Sequence, residues 1–63
     1  MGEKIRSRRE TLNMTQEELA AKSGVSRQTI SAIENGTRDN IMTVTLAAIA
    51  RALDTTVDSF FMA

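Results

Sequence analysis

Apolar residues recur at intervals of three and four along most of this chain, the spacing of a single helix face. The stretch from Gln16 to Asn35, QEELAAKSGVSRQTISAIEN, predicts two short helices around a tight turn. Thr15 can cap the first helix while Glu18, three residues on, returns a bond to the Thr15 amide, the reciprocal pairing of a capping box. Leu19 and Ala20 then face inward. Gly24 falls where the chain must reverse, a place where φ > 0 is needed and glycine takes it without strain. Ser26 can cap the second helix. At about 100° per residue, Ile30 and Ile33 lie on one side of that helix, and Gln28, Ser31, Ala32 and Asn35 lie on the other.

The same spacing places three more elements. A first helix is expected over roughly Glu3 to Leu12, with Ile5 and Leu12 two turns apart on its apolar face and Arg9 between them. An arginine on a buried stripe needs a carboxylate, because an unpaired buried charge costs about 3–5 kcal/mol, and Glu34 at the end of the second motif helix is the candidate; otherwise Arg9 extends along its stem to solvent. Lys4, Arg6 and Arg8 read as a solvated face, from which one could touch a phosphate. Met14, the first apolar residue after this helix, is expected to be buried. Asn35-Gly36 is a stop signal acting through a left-handed residue, and a loop runs from Thr37 to Met42. A fourth helix begins near Thr43 with Leu46, Ile49, Ala50 and Leu53 as its core stripe. Thr55 or Thr56 can cap a short fifth helix in which Val57, Phe60 and Phe61 repeat at i, i+3 and i+4, with one Phe partly exposed.

The run TQEELAAKSGVSRQTISAIENG resembles the helix-turn-helix of phage repressor and Cro-type bacterial regulators. The shared features are Gln opening the first helix, Ala at its fifth position, Gly at the turn and Ile-x-x-Ile closing the second. The LxMTQEELA, ENGxR and LAAIARALDTTVDSFF segments extend the likeness over almost the whole chain. The resemblance implies an all-α, compact five-helix DNA-binding domain over 1–63, with the motif at 16–35 and a recognition helix at about 26–34 lying in the major groove. It also implies an Arg9–Glu34 pairing between the first and third helices, a phosphate contact for Gln16, and an approach of Arg38 to the DNA backbone. Two features depart from the family: the chain has no proline, and the loop TRDNIMTVT is one residue longer than the commonest spacing, with Asp39 placed to repel phosphate.

Composition narrows the classes. Sixty-three residues suit one small domain, and with no Cys or His the core must come from apolar packing without disulfides or the usual zinc sites. No membrane span and no signal-like N-terminus is present, so a cytoplasmic location is expected. An enzyme is disfavoured by inventory: Cys, His, Tyr and Trp are missing, and the glycines form no phosphate-cradling loop. No cofactor and no small-molecule effector site is expected. Eight basic and eight acidic residues cancel, but seven of the basic and five of the acidic ones fall within residues 1–38, leaving the tail negative.

On a DNA-binding reading, Arg27 can bond guanine O6 and N7 or instead, flanking the groove-facing side, a phosphate; Gln28 can bond adenine N6 and N7, and Ser31 and Ala32 can bond a base edge or pack on a thymine methyl. Phosphate contacts fall to Gln16, Ser26, Asn35, Thr37 and Arg38. One recognition helix reads too few base pairs for useful specificity, so a homodimer on a pseudo-palindromic operator is expected, its interface drawn from Val57, Phe60, Phe61 and Met62 in the apolar-ended tail. The competing class is an adaptor or antitoxin-like protein-binding module of the same fold, which the neutral net charge keeps open.

Overall fold

The computed structural model describes residues 1–62; Ala63, the last residue of the expected apolar tail, lies outside them. Four α-helices span Gly2–Thr11 (α1), Gln16–Ser23 (α2), Arg27–Glu34 (α3) and Thr43–Ala52 (α4), and a single 3-10 turn covers Val57–Phe60. The described residues contain no strand. The expected all-α architecture is therefore present, with a 3-10 turn in place of the fifth helix.

Helix starts depend on the side chains available. Thr15 Oγ1 accepts from the Glu18 amide at 3.0 Å and Glu18 Oε1 accepts from the Thr15 amide at 2.8 Å, so the capping box is complete. Ser26 Oγ accepts from the Thr29 amide at 3.1 Å at the start of α3. The 3-10 turn lacks such a cap: Thr56 occupies the position without a side-chain bond, and Thr55 Oγ1 donates instead to Ser59 Oγ. Three helix ends share one device. At the ends of α1, α3 and α4 the chain turns through a left-handed residue, Asn13 (φ 54°), Gly36 (φ 83°) and Asp54 (φ 54°). In each case the next amide reaches back to a carbonyl three residues before the cap: Met14 to Arg9, Thr37 to Ala32, and Thr55 to Ala50. These are Schellman closures, which satisfy carbonyls the helix leaves orphaned.

Every element contributes to the core. Ile5, Leu19, Ile30, Ile33, Leu46, Ile49, Ala50, Leu53 and Phe60 are buried together, each large side chain stabilising by about 1.5–3 kcal/mol on removal from water. Helix α2 packs on α3 and α4, α1 on α3, and the 3-10 turn on α1 and α4. The approach of α1 to α3 is close enough that a methyl group on Gly2 would overlap the Ile33 carbonyl oxygen.

Five expectations require correction. Leu12 is 39% exposed: α1 ends at Thr11, and Leu12 is its C-cap, outside the helical stripe. Met14 is only half-buried, packed on the rim of the core. Arg8 is not part of a solvated face: its Nε donates to the Leu53 carbonyl at 2.9 Å and its Nη2 to the Asp54 carbonyl at 3.1 Å, clasping the end of α4. Phe61 is 64% exposed while Phe60 is 2% exposed. In a 3-10 turn residues i and i+3 eclipse, so Phe60 lies over Val57 and the next residue rotates out by about 120°. Phe60 is thereby removed from any dimer surface, and Val57, half-buried against the core, can contribute only an edge.

Gly36→Ala, which forces an alanine to φ 83°, is expected to lower stability by about 1–2 kcal/mol, whereas Asp54→Gly at the equivalent position of α4 is expected to leave it unchanged or raise it. Thermal melts decide, since about 1 kcal/mol moves the midpoint of so small a domain by roughly 4–8 °C.

Candidate nucleic-acid interface

The angle between α2 and α3 is set by a short, fully bonded turn. Ser23 Oγ donates to the Leu19 carbonyl at 2.7 Å and accepts from the Val25 amide at 3.1 Å, so one hydroxyl stitches the end of α2 to the turn. Gly24 takes φ 77° between them, a conformation that costs a residue with a Cβ about 1–2 kcal/mol. Val25 then packs on the core and Ser26 caps α3. With Ile30 and Ile33 buried, α3 turns Arg27 and Gln28 fully outward and leaves Ser31 and Ala32 half-exposed one turn on.

Glu34 anchors the other end of α3. Its Oε2 accepts from Arg9 Nε at 2.8 Å and its Oε1 from Arg9 Nη2 at 2.9 Å, a bidentate pair whose side chains are 4% and 11% exposed for Glu34 and Arg9. The third Arg9 donor, Nη1, goes to the Met14 carbonyl at 2.7 Å. Gln16 Nε2 adds a bond to Glu34 Oε1 at 3.1 Å. Burial pushes the Glu34 carboxyl up, but the hydrogen bonds from Arg9 and Gln16 and the Arg9 charge outweigh it and hold the group below the usual 4.5. Glu18 is also held below that value, by its bonds with Thr15.

From this anchor the polar network continues to the outer edge. Gln16 Oε1 accepts from Arg27 Nη1 at 3.4 Å, and Arg27 Nε lies 3.9 Å from Glu17 Oε2. The first residues of α2 and α3 are thus side by side. Several other candidate residues are committed locally. Ser26 Oγ, besides capping, donates to Thr29 Oγ1 at 2.8 Å. Asn35 Oδ1 accepts from both the amide and the hydroxyl of Thr37, which leaves the Asn35 amide nitrogen as its outward donor. Arg38 and Asp39 are both exposed on the loop after α3. The tail residues Phe61 and Met62 are each 64% exposed, just after the 3-10 turn that packs against α1 and α4. Glu17 is the edge residue that sequence reasoning passed over. Its signal was available, an acidic side chain next to Gln16 and eleven residues before Arg27, but only the fold shows the two helix starts adjacent.

The sequence model of the helix-turn-helix family matches residues 5–60. A transcriptional regulator encoded in the ATPase CF(0) region of Rhodospirillum rubrum is 43% identical over 61 residues; the match covers 97% of this chain and 56% of that relative, so the chain spans little more than half its length. An HTH-type transcriptional regulator of Methanothermobacter thermautotrophicus is 51% identical over 49 residues, covering 78% of this chain and 70% of the relative. Among solved structures, the restriction-modification controller protein C.AhdI from Aeromonas hydrophila superposes with a TM-score of 0.90 at 33% identity, over 95% of this chain and 89% of that one.

Truncating Arg9 or Glu34 to alanine is expected to destabilise by about 3–5 kcal/mol, because each leaves the other charge buried and unpaired. The double variant should lose clearly less than the two single losses together, and urea titrations showing simple additivity would remove the coupling. The pH dependence comes from the same carboxylates. Their pKa values are lower folded than unfolded, so their contribution is present in full above the unfolded value of about 4.5 and is lost as pH falls through the folded values. Melting temperature should therefore hold from neutral pH down to about 5 and then drop, with Glu34→Gln flattening part of that drop.

Proposed function

The chain belongs to the Cro/C1-type helix-turn-helix family, and on that premise we propose that it is a sequence-specific DNA-binding transcriptional regulator, acting as a repressor from the cytoplasm. Recognition helix α3 enters the major groove and α2 lies across the backbone. The observation that carries this reading is the outward face of α3: Arg27 and Gln28 stand exposed at the start of a helix whose two ends are held by the Ser26 cap and the Glu34 pair. Rigid placement matters because base-edge hydrogen bonds are short and directional. Arg27, Gln28, Ser31 and Ala32 read bases; Gln16, the Asn35 amide and Arg38 hold phosphates, with Ser26 offering its backbone amide in place of its committed hydroxyl, while Thr37, whose amide and hydroxyl are both bonded to Asn35 and Ala32, is left without a free donor.

A second copy completes the operator. Phe61 and Met62, exposed on the tail, supply the apolar centre of a symmetric dimer, with Val57 at its edge. The half-site centres then lie about one helical turn, roughly 34 Å, apart. A protein-binding role of the adaptor or antitoxin kind is the second reading, and the net charge of zero favours it.

Selection of bound sites from a random duplex pool, followed by titration at two salt concentrations, tests both readings. A DNA regulator yields a pseudo-palindromic consensus and an affinity that falls with salt by counterion release; an adaptor yields neither. On the selected site, Gln28→Ala is expected to cost about 1–3 kcal/mol and relax preference at one base pair, whereas Gln16→Ala weakens selected and unselected DNA alike. Sedimentation at micromolar concentration, with and without operator, checks assembly: a complex of one monomer on the full operator contradicts the dimer.

A further inference from the structure

Most carboxylates near the α2–α3 edge have structural duties. Glu34 holds Arg9, Glu18 closes the capping box, and Glu10 pairs with Arg6 on the exposed face of α1 at 3.3 Å. Glu17 makes no such hydrogen bond, and its one structural contribution is an acidic charge at the N-terminal end of α2. It stands in the first turn of α2 with its side chain 73% exposed, beside Gln16 and 3.9 Å from the guanidinium of Arg27. It therefore places a negative charge in the middle of the edge assigned to DNA, within a Debye length of any phosphate bound there. Together with Gln16 Oε1, it draws Arg27 back toward the start of α2.

We infer that Glu17 is a specificity-determining residue, one that holds Arg27 in the free protein and withholds it from the phosphates of unselected DNA. This rests on the DNA-binding reading of the same edge. The physical asymmetry lies in what competes for the guanidinium. A phosphate must displace a carboxylate of like charge and approach it closely, so Glu17 both competes with it and repels it. A guanine edge is neutral and offers O6 and N7 together, so it takes Arg27 without the repulsion. An exposed pair of this kind is weak and readily exchanged, which suits a bias against the wrong DNA and does not lock the arginine away. Penalising competitors in this manner is a general route to specificity.

The test is binding to a mixed-sequence DNA duplex across a salt series by the parent, Glu17→Gln, Arg27→Gln and the double variant, with thermal melts confirming that all four fold. Glu17→Gln is expected to bind unselected DNA about 3- to 10-fold more tightly, with a salt slope steeper by about 0.9, the signature of one added phosphate contact. Adding Glu17→Gln to Arg27→Gln should then produce a clearly smaller gain, the share due to direct repulsion alone. A Glu17→Gln protein that binds as the parent does overturns the inference, as does a gain of the same size in the absence of Arg27, which would reduce Glu17 to simple repulsion. In both cases the parent still binds DNA and the function stands; a parent with no salt-dependent affinity for the duplex overturns both.

Discussion

The paired charges of Arg9 and Glu34 are the constraint around which the rest of this small protein is arranged. Placing two ions in the interior costs several kcal/mol apiece in lost hydration, and the cost is met only because every polar atom is used: two bonds across the pair, one to the Met14 carbonyl and one from Gln16. Those four bonds tie α1, the α1–α2 connection, α2 and the last residue of α3 to one point. An apolar pair of the same volume could match it in stability but not in geometry, since hydrophobic contact has no preferred direction. The ion pair sets where α3 ends, as the Ser23–Gly24–Ser26 turn sets where it begins.

That division explains which parts of the structure were legible in the sequence. The capping box at Thr15 and Glu18, the reversal at Gly24, the Ser26 cap and the α4 stripe are decided within one or two helical turns, and their residue types state the local geometry directly. Arg9 and Glu34 were legible for a different reason: an arginine on an apolar stripe demands a partner, and few carboxylates lie near the core. Features that depend on the packing of distant segments were not legible. Arg8 clasps carbonyls forty-five and forty-six residues away, and nothing in its neighbours distinguishes it from Lys4 or Arg6. Phe60 and Phe61 are one residue apart and differ from 2% to 64% exposure because the last element winds as a 3-10 turn, a choice that periodicity over four residues cannot make. Asn13 and Asp54 carry the left-handed role usually signalled by glycine; both types tolerate it, but neither announces it.

The candidate interface shows the same boundary. Outward placement of Gln28 and Ser31 stems from the burial of Ile30 and Ile33, a relation internal to one helix. The contacts among Gln16, Glu17 and Arg27 join residues from two helices and depend on the turn between them. For Ser26 and Thr37 the residue type suggested a phosphate donor, whereas the fold commits their hydroxyls to Thr29 and Asn35. A hydroxyl beside a helix end is claimed first by the helix, because an unsatisfied backbone amide is always present and the ligand is not.

Net charge is a poor guide in this chain because it averages over groups with unequal freedom. Of the acidic residues, Glu34 is buried in a pair and does not present its charge to solvent as a free carboxylate does. Arg9 is spent on Glu34, and Arg8 is held by the Leu53 and Asp54 carbonyls at the end of α4. What remains near the α2–α3 edge is Arg27 and Arg38 against Glu17 and Asp39, an even balance in which one of each sign sits at the start of α3 and one of each on the loop after it. A surface of that composition attracts a polyanion weakly at long range. On the proposed DNA-binding role, discrimination then comes from short-range hydrogen bonds at Arg27 and Gln28, a task suited to a helix fixed at both ends.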